Sequence, residues 1–152
     1  MSRQINEIII HCSATPNGRP TTVEEIDRWH RARGFKRSAP VENYGLKHIG
    51  YHFIVYIDGS VHEGRHISEI GAHAAGRNAH SIGICLIGTD KFTPAQWRAL
   101  ATLTADLLWR FPCAQMLGHR ELPDVRKRCP GFDVAAWAAG NAECLADHVW
   151  AA

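Results

Sequence analysis

Two capping boxes mark the two main helices of a chain whose other apolar runs are mostly short and strand-like, and that division leaves few folds open. Thr22 with Glu25 opens a helix whose apolar positions Val23, Ile26 and Trp29 follow at helical spacing, with Gly34 as its stop. Thr93-Pro94-Ala95-Gln96 opens a second, with Pro94 at the first helical position, running to about Arg110 and ending before Pro112. Around them lie strand-like runs: Ile5 to Cys12, Tyr51 to Ile57, Ser60 to Glu63, Ile82 to Ile87 and Ala114 to Leu117. Asp58-Gly59 reads as a hairpin turn, and Asp133 caps a third helix that carries Trp137 on its apolar side. Alternating strands and helices predict an α/β fold: one domain over residues 1–152, with a central mixed β-sheet of about five strands flanked by helices. Phe35 to Gly50 and Arg65 to Ser81 lack a period and read as loops. The first is expected to flank a site, because long loops in compact domains are often functional.

Composition narrows the function classes. Hydrophobic residues at 45% and charged residues at 21% describe an ordinary soluble domain. A net charge of +2 is too small to argue for nucleic acid, and the run Arg126 to Arg128 is too short for a binding tail. No apolar stretch is long enough for membrane insertion, and the first residues lack the apolar core of a signal peptide, so synthesis in the cytoplasm is expected. Five cysteines at irregular spacing argue against a disulfide framework and for a reducing compartment.

The chemistry concentrates between Leu117 and Pro130. His119 and Cys129 offer an imidazole and a thiolate, the ligands zinc prefers. Arg126, Lys127 and Arg128 are expected to favour the thiolate. The best third ligand is His11, at the end of Ile8-Ile9-Ile10. Three protein ligands leave a fourth tetrahedral position open, the mark of a catalytic site. His11 and His119 fall at the ends of strands, where α/β sheets collect ligands. On spacing alone, an ordinary buried thiol with unconnected histidines stays open as the alternative.

Several blocks resemble the zinc N-acetylmuramoyl-L-alanine amidases that phages use as lysozymes, relatives of the peptidoglycan-recognition proteins. They are Ile10-His11-Cys12-Ser13-Ala14-Thr15, Ile26-Asp27-Arg28-Trp29-His30, Gly50-Tyr51-His52-Phe53-Ile54, Asp58-Gly59 and His73-Ala74-Ala75-Gly76-Arg77-Asn78. Ser81 to Gly88, Phe92 to Gln96 and Lys127 to Asp133 complete the set, in order, over nearly the whole chain. The resemblance implies that His11, His119 and Cys129 hold Zn2+, that Tyr51 and Lys127 are catalytic, and that the substrate is the amide between N-acetylmuramic acid and L-alanine in peptidoglycan. It implies an endolysin of a phage or prophage, monomeric, reaching the cell wall after release by another agent. A non-catalytic peptidoglycan-binding module is the alternative, as is a regulator of a phage RNA polymerase, a partner that some relatives bind. Two departures stand out: the segment between Trp29 and Gly50 is longer than in phage relatives, and Arg77 stands where an aromatic residue is expected.

Residue by residue, strand alternation predicts Tyr51 facing the metal and His52 facing away. Lys127 reads as an oxyanion stabiliser, against a solvated loop cation. In an extended segment it would share a side with Cys129 and send Arg128 outward. His73 and Asn78 are candidates to bind sugar or peptide, against local loop hydrogen bonding. Cys12, Cys85, Cys113 and Cys144 read as core, the tryptophans as helix-face packing, and the remaining histidines, His30 among them, mostly as surface or loop residues.

Overall fold

The computed structural model describes residues 3–151. Its strands are β1 (Glu7–Cys12), β2 (Phe53–Val55), β3 (Val61–Glu63), β4 (Ser81–Leu86) and β5 (Gln115–Gly118). Its helices are α1 (Val23–Ala32), α2 (Pro94–Arg110) and α3 (Val134–Ala139), with short 3-10 turns at Asn78–His80, His119–Glu121 and Ala146–His148. The strands form one sheet in the order β3-β2-β4-β1-β5, in which only β3 runs antiparallel to its neighbour. This is the expected mixed five-stranded α/β domain.

Both capping boxes form. The Thr22 hydroxyl accepts from the Glu25 amide and the Glu25 carboxylate accepts from the Thr22 amide; Thr93 and Gln96 repeat the pattern. Gly34 follows α1 at φ +81°, a left-handed conformation that costs glycine little. β2 is shorter than expected. Only Phe53 to Val55 form the strand proper, and backbone bonding runs on just before it: the His52 amide donates to the Gly83 carbonyl, and the Gly64 and Arg65 amides donate to the His52 and Tyr51 carbonyls.

The isoleucine run is continuous because β1 lies between β4 and β5 with both faces covered. Alternation then divides its side chains. Ile8, Ile10 and Cys12 join Trp97, Leu100, Leu107, Phe132 and Trp137 in the core beneath α2 and α3. Ile9 packs on the opposite face with Ala74, Leu117 and Leu122, while Cys85 joins Val23 and Ile26 of α1. His11, two positions after Ile9, emerges on that second face at the carboxyl end of the strand. Two packing expectations need correction. Trp29 and Trp109 are exposed, as are Cys113 and Cys144: helical spacing alone does not say which stripe meets the sheet.

The loops over that face are pinned from inside. The Arg37 guanidinium, fully buried, pairs with Glu69 at 2.7 Å and donates to the carbonyls of Glu42, Asn43 and Leu46. The long Phe35–Gly50 segment is thereby tied to the loop that follows β3; Phe35 at its start and Ala72 to Ala75 of that loop line a cleft.

Candidate active site

The cleft has a volume of about 510 Å³ and opens at the carboxyl ends of β1 and β5. Each element delivers a different group to it. β1 supplies His11, its penultimate residue, held in register opposite Cys85 of β4. β5 runs beside β1 and stops at Gly118, so His119 in the following 3-10 turn arrives next to His11 with ring centroids 4.5 Å apart. The Cys129 loop is drawn in by the Arg120 amide, which donates to the Cys129 carbonyl at 2.7 Å. The ligand atoms of His11, His119 and Cys129 all lie within 4.8 Å of one another. Tetrahedral zinc sets such atoms roughly 3.4–3.6 Å apart, given its bond lengths to nitrogen and sulfur. The Cys129 Sγ to His11 Nδ1 distance of 3.8 Å is near that span, and small side-chain rotations close the rest. Donor set and geometry both fit a zinc ion.

The state of the thiol differs from expectation. Arg126, Lys127 and Arg128 are all exposed, so water screens them. What governs Cys129 is the neighbouring Cys12 thiol, then burial, which together push Cys129 up while Cys12 is lowered to about 7. Cys129 is the member that faces His11 and accepts the Cys12 amide N–H at 3.3 Å, so a cation in the cluster draws the charge onto Cys129. Cys12 belongs to the core as expected, yet it touches the centre through its backbone and thiol.

Tyr51, Lys127, His73 and Asn78 all line the same cleft; Arg128 does not. The Tyr51 ring lies 5.1 Å from that of His11, and burial holds its phenol well above the usual range, so the hydroxyl stays protonated. His52 turns the other way. Its Nδ1 accepts from the Gly83 amide at 3.0 Å and its Nε2 meets the Glu69 carbonyl at 2.8 Å. The chain bends at Lys127 rather than running extended, and the ammonium still reaches the cleft. His73 has both ring nitrogens on protein partners, His11 and Ser81. The Asn78 side-chain Oδ1 accepts from the His73 and Ala74 amides at 2.9 Å, which fixes the loop. Arg77 is outside the cleft, paired with Glu7 at 2.8 Å.

Among the cleft residues that the sequence reading did not assign to the site are His30, Arg33 and Phe35. Val23, Ile26 and His30 recur at i, i+3 and i+7, which puts His30 on the buried stripe of α1, and that spacing was the available signal. The His30 Nδ1 accepts from the Gly50 amide at 2.8 Å, and Arg33 sits 4.7 Å over the Phe35 ring. Acidic side chains are missing from the lining, which holds instead the cations Arg33 and Lys127.

Burial, reinforced by nearby arginines, lowers His30 to about 4 and His52 to about 4, so both are neutral in the fold. A folded-state value below the unfolded one gives stability that is complete above about pH 6.5 and lost as pH falls toward 4. Urea unfolding of the metal-free protein is therefore expected to show a loss of a few kcal/mol between pH 7 and pH 4.5. A flat profile would mean that these imidazoles are solvated.

Comparison with known proteins agrees with this geometry. Residues 1–132 match the model of the family described as N-acetylmuramoyl-L-alanine amidase. The endolysin of Escherichia phage T7 is 37% identical over 149 residues, covering 93% of this chain and 90% of its own, and that of Klebsiella phage KP32 is 33% identical over 154 residues, covering 96% and 93%. Among solved structures, the N-acetylmuramoyl-L-alanine amidase LysC from Clostridium intestinale superposes with a TM-score of 0.74 at 27% identity, over 93% of this chain and 88% of its own. Drosophila PGRP-LB gives 0.70 at 28% identity, over 91% and 82%. With a matched sequence, a shared fold and a clustered His, His and Cys set, the chain belongs to the N-acetylmuramoyl-L-alanine amidase family.

Proposed function

We propose that this protein is a zinc-dependent phage endolysin that hydrolyses the amide between N-acetylmuramic acid and L-alanine in peptidoglycan. The observation that carries the reading is the convergence of His11, His119 and Cys129 in a cleft that also holds Tyr51 and Lys127. Zinc, when bound there, supplies Lewis acidity for water activation and carbonyl polarisation. The protein's own groups account for the rest. Tyr51, kept protonated by burial, donates a hydrogen bond to the carbonyl oxygen as negative charge grows on it. The Lys127 ammonium stabilises the same charge, more in the transition state than in the ground state. With no carboxylate in the lining, the cleft favours an anionic ligand such as an acidic stem peptide.

The His11, His119 and Cys129 group supports this reading over a binding module, which has no use for a metal with an open position. Among the described residues no helix is long and apolar enough to cross a membrane. The test is metal analysis joined to product analysis on purified cell walls. One zinc per chain and new amino groups without new reducing ends are expected; new reducing ends would mean cleavage of the glycan instead.

A further inference from the structure

His11 presents Nδ1 to Cys129 and turns Nε2 toward His73 Nδ1 at 2.9 Å. Proton bookkeeping settles the direction of that bond. If Nδ1 is the metal-binding nitrogen, Nε2 of His11 must carry the ring proton and can only donate. His73 Nδ1 must then accept, which puts the His73 proton on Nε2, and Nε2 lies 3.1 Å from the Ser81 hydroxyl, itself fully buried. We propose that His73 is a positioning residue for the metal centre, a neutral imidazole whose Nδ1 accepts a hydrogen bond from His11 Nε2–H and whose Nε2–H donates to the Ser81 hydroxyl. The inference rests on the zinc reading of the site.

The fold reserves a slot for this ring. A Cβ added at Gly83 would lie 2.5 Å from the His73 ring, and one added at Gly71 would lie 2.7 Å from it, so any side chain at either glycine would displace the imidazole. The backbone is held as well, because the His73 amide donates to the Asn78 side-chain Oδ1 at 2.9 Å. Ring, slot and backbone anchor together point the imidazole at His11. Metal-binding histidines usually donate to a carboxylate, a carbonyl or water. A neutral acceptor in that place fixes the orientation of His11 without adding negative charge, in keeping with a cleft that has no carboxylate in its lining.

The experiment measures zinc affinity by competition with a chromophoric chelator for the wild type, His73→Leu, His73→Gln and Ser81→Ala. It is paired with long-range proton–nitrogen spectra of histidine-labelled, zinc-loaded wild type. His73→Leu is expected to weaken zinc binding roughly 10–100-fold, the usual cost of losing the outer partner of a metal-binding histidine. Glutamine can accept through its oxygen and donate through its amide, so His73→Gln should recover most of the affinity, and Ser81→Ala should fall between the two. The spectra should place the ring proton of both His11 and His73 on Nε2. Stoichiometric zinc in wild type with undiminished affinity in His73→Leu would overturn the proposal, as would a proton on His73 Nδ1. If His73→Leu does not fold, the order of the Gln and Ala variants and the wild-type spectra still decide. A wild type that binds no zinc would instead overturn the zinc reading itself.

Discussion

Cys129→Ser is expected to lose stoichiometric zinc and, with it, amidase turnover. Serine keeps the size of the side chain but replaces a soft anionic ligand with a hydroxyl that stays protonated near neutral pH. His11 and His119 alone leave two neutral nitrogens, and affinity should fall by more than the roughly 10–100-fold that outer partners of metal ligands cost. Zinc per chain after dialysis gives the direct reading. Thermal melting gives an independent one: wild type should rise in Tm when zinc is added, because a ligand bound only by the folded state stabilises it, and the variant should not. The proximity of Cys12 makes a control necessary. Its amide lies 3.3 Å from the Cys129 sulfur and its carbonyl oxygen 3.8 Å from it. If Cys129→Ser retains a full equivalent of zinc while the Cys12→Ser, Cys129→Ser double variant loses it, Cys12 is a ligand and the set assigned to this site is wrong.

The parts of this molecule that sequence revealed are those decided locally or by one simple period. Thr22 with Glu25 and Thr93 with Gln96 act within four residues, so the two main helices could be placed before any tertiary contact was known. The apolar run before His11 marked a strand covered on both faces, and the strand ends then marked the cleft. What sequence concealed depends on contacts between distant segments. His73 reads as a polar loop residue, yet its neighbours are His11, sixty-two positions away, and two glycines whose missing side chains make room for it. The buried pair of Arg37 and Glu69 joins two segments that each look like solvated loop. The basic run beside Cys129 gave a misleading cue. Charges along the chain matter less to a thiol than the groups facing it across the fold, here Cys12. His30 was recoverable, because its place on the α1 stripe follows from spacing once a histidine is allowed to be part of a buried face.

Tyr51→Phe and Lys127→Ala should both cut turnover steeply while leaving zinc binding and substrate affinity nearly intact. Each variant removes a group that faces the cleft without being among the metal ligands. Loss of one hydrogen-bond donor to a developing oxyanion costs about 10²–10³ in kcat. Tyr51→Phe keeps the ring that packs between His11 and His30, so its stability should match wild type and isolate the hydroxyl. Arg128→Ala is the internal control: it lies beside Lys127 in sequence but outside the cleft, and its effect should be small. On a soluble muropeptide, kcat and kcat/KM should fall together in the two active-site variants, the pattern of an interaction made only in the transition state. If both groups serve one oxygen, the double variant should lose less than the product of the single losses, because a charge already deprived of one partner has less to lose with the second. Full activity in Tyr51→Phe would return the tyrosine to a packing role. A KM effect alone in Lys127→Ala would make the lysine a substrate-binding group, and an Arg128→Ala variant more damaging than Lys127→Ala would mean that the loop before Cys129 presents a different face to the substrate.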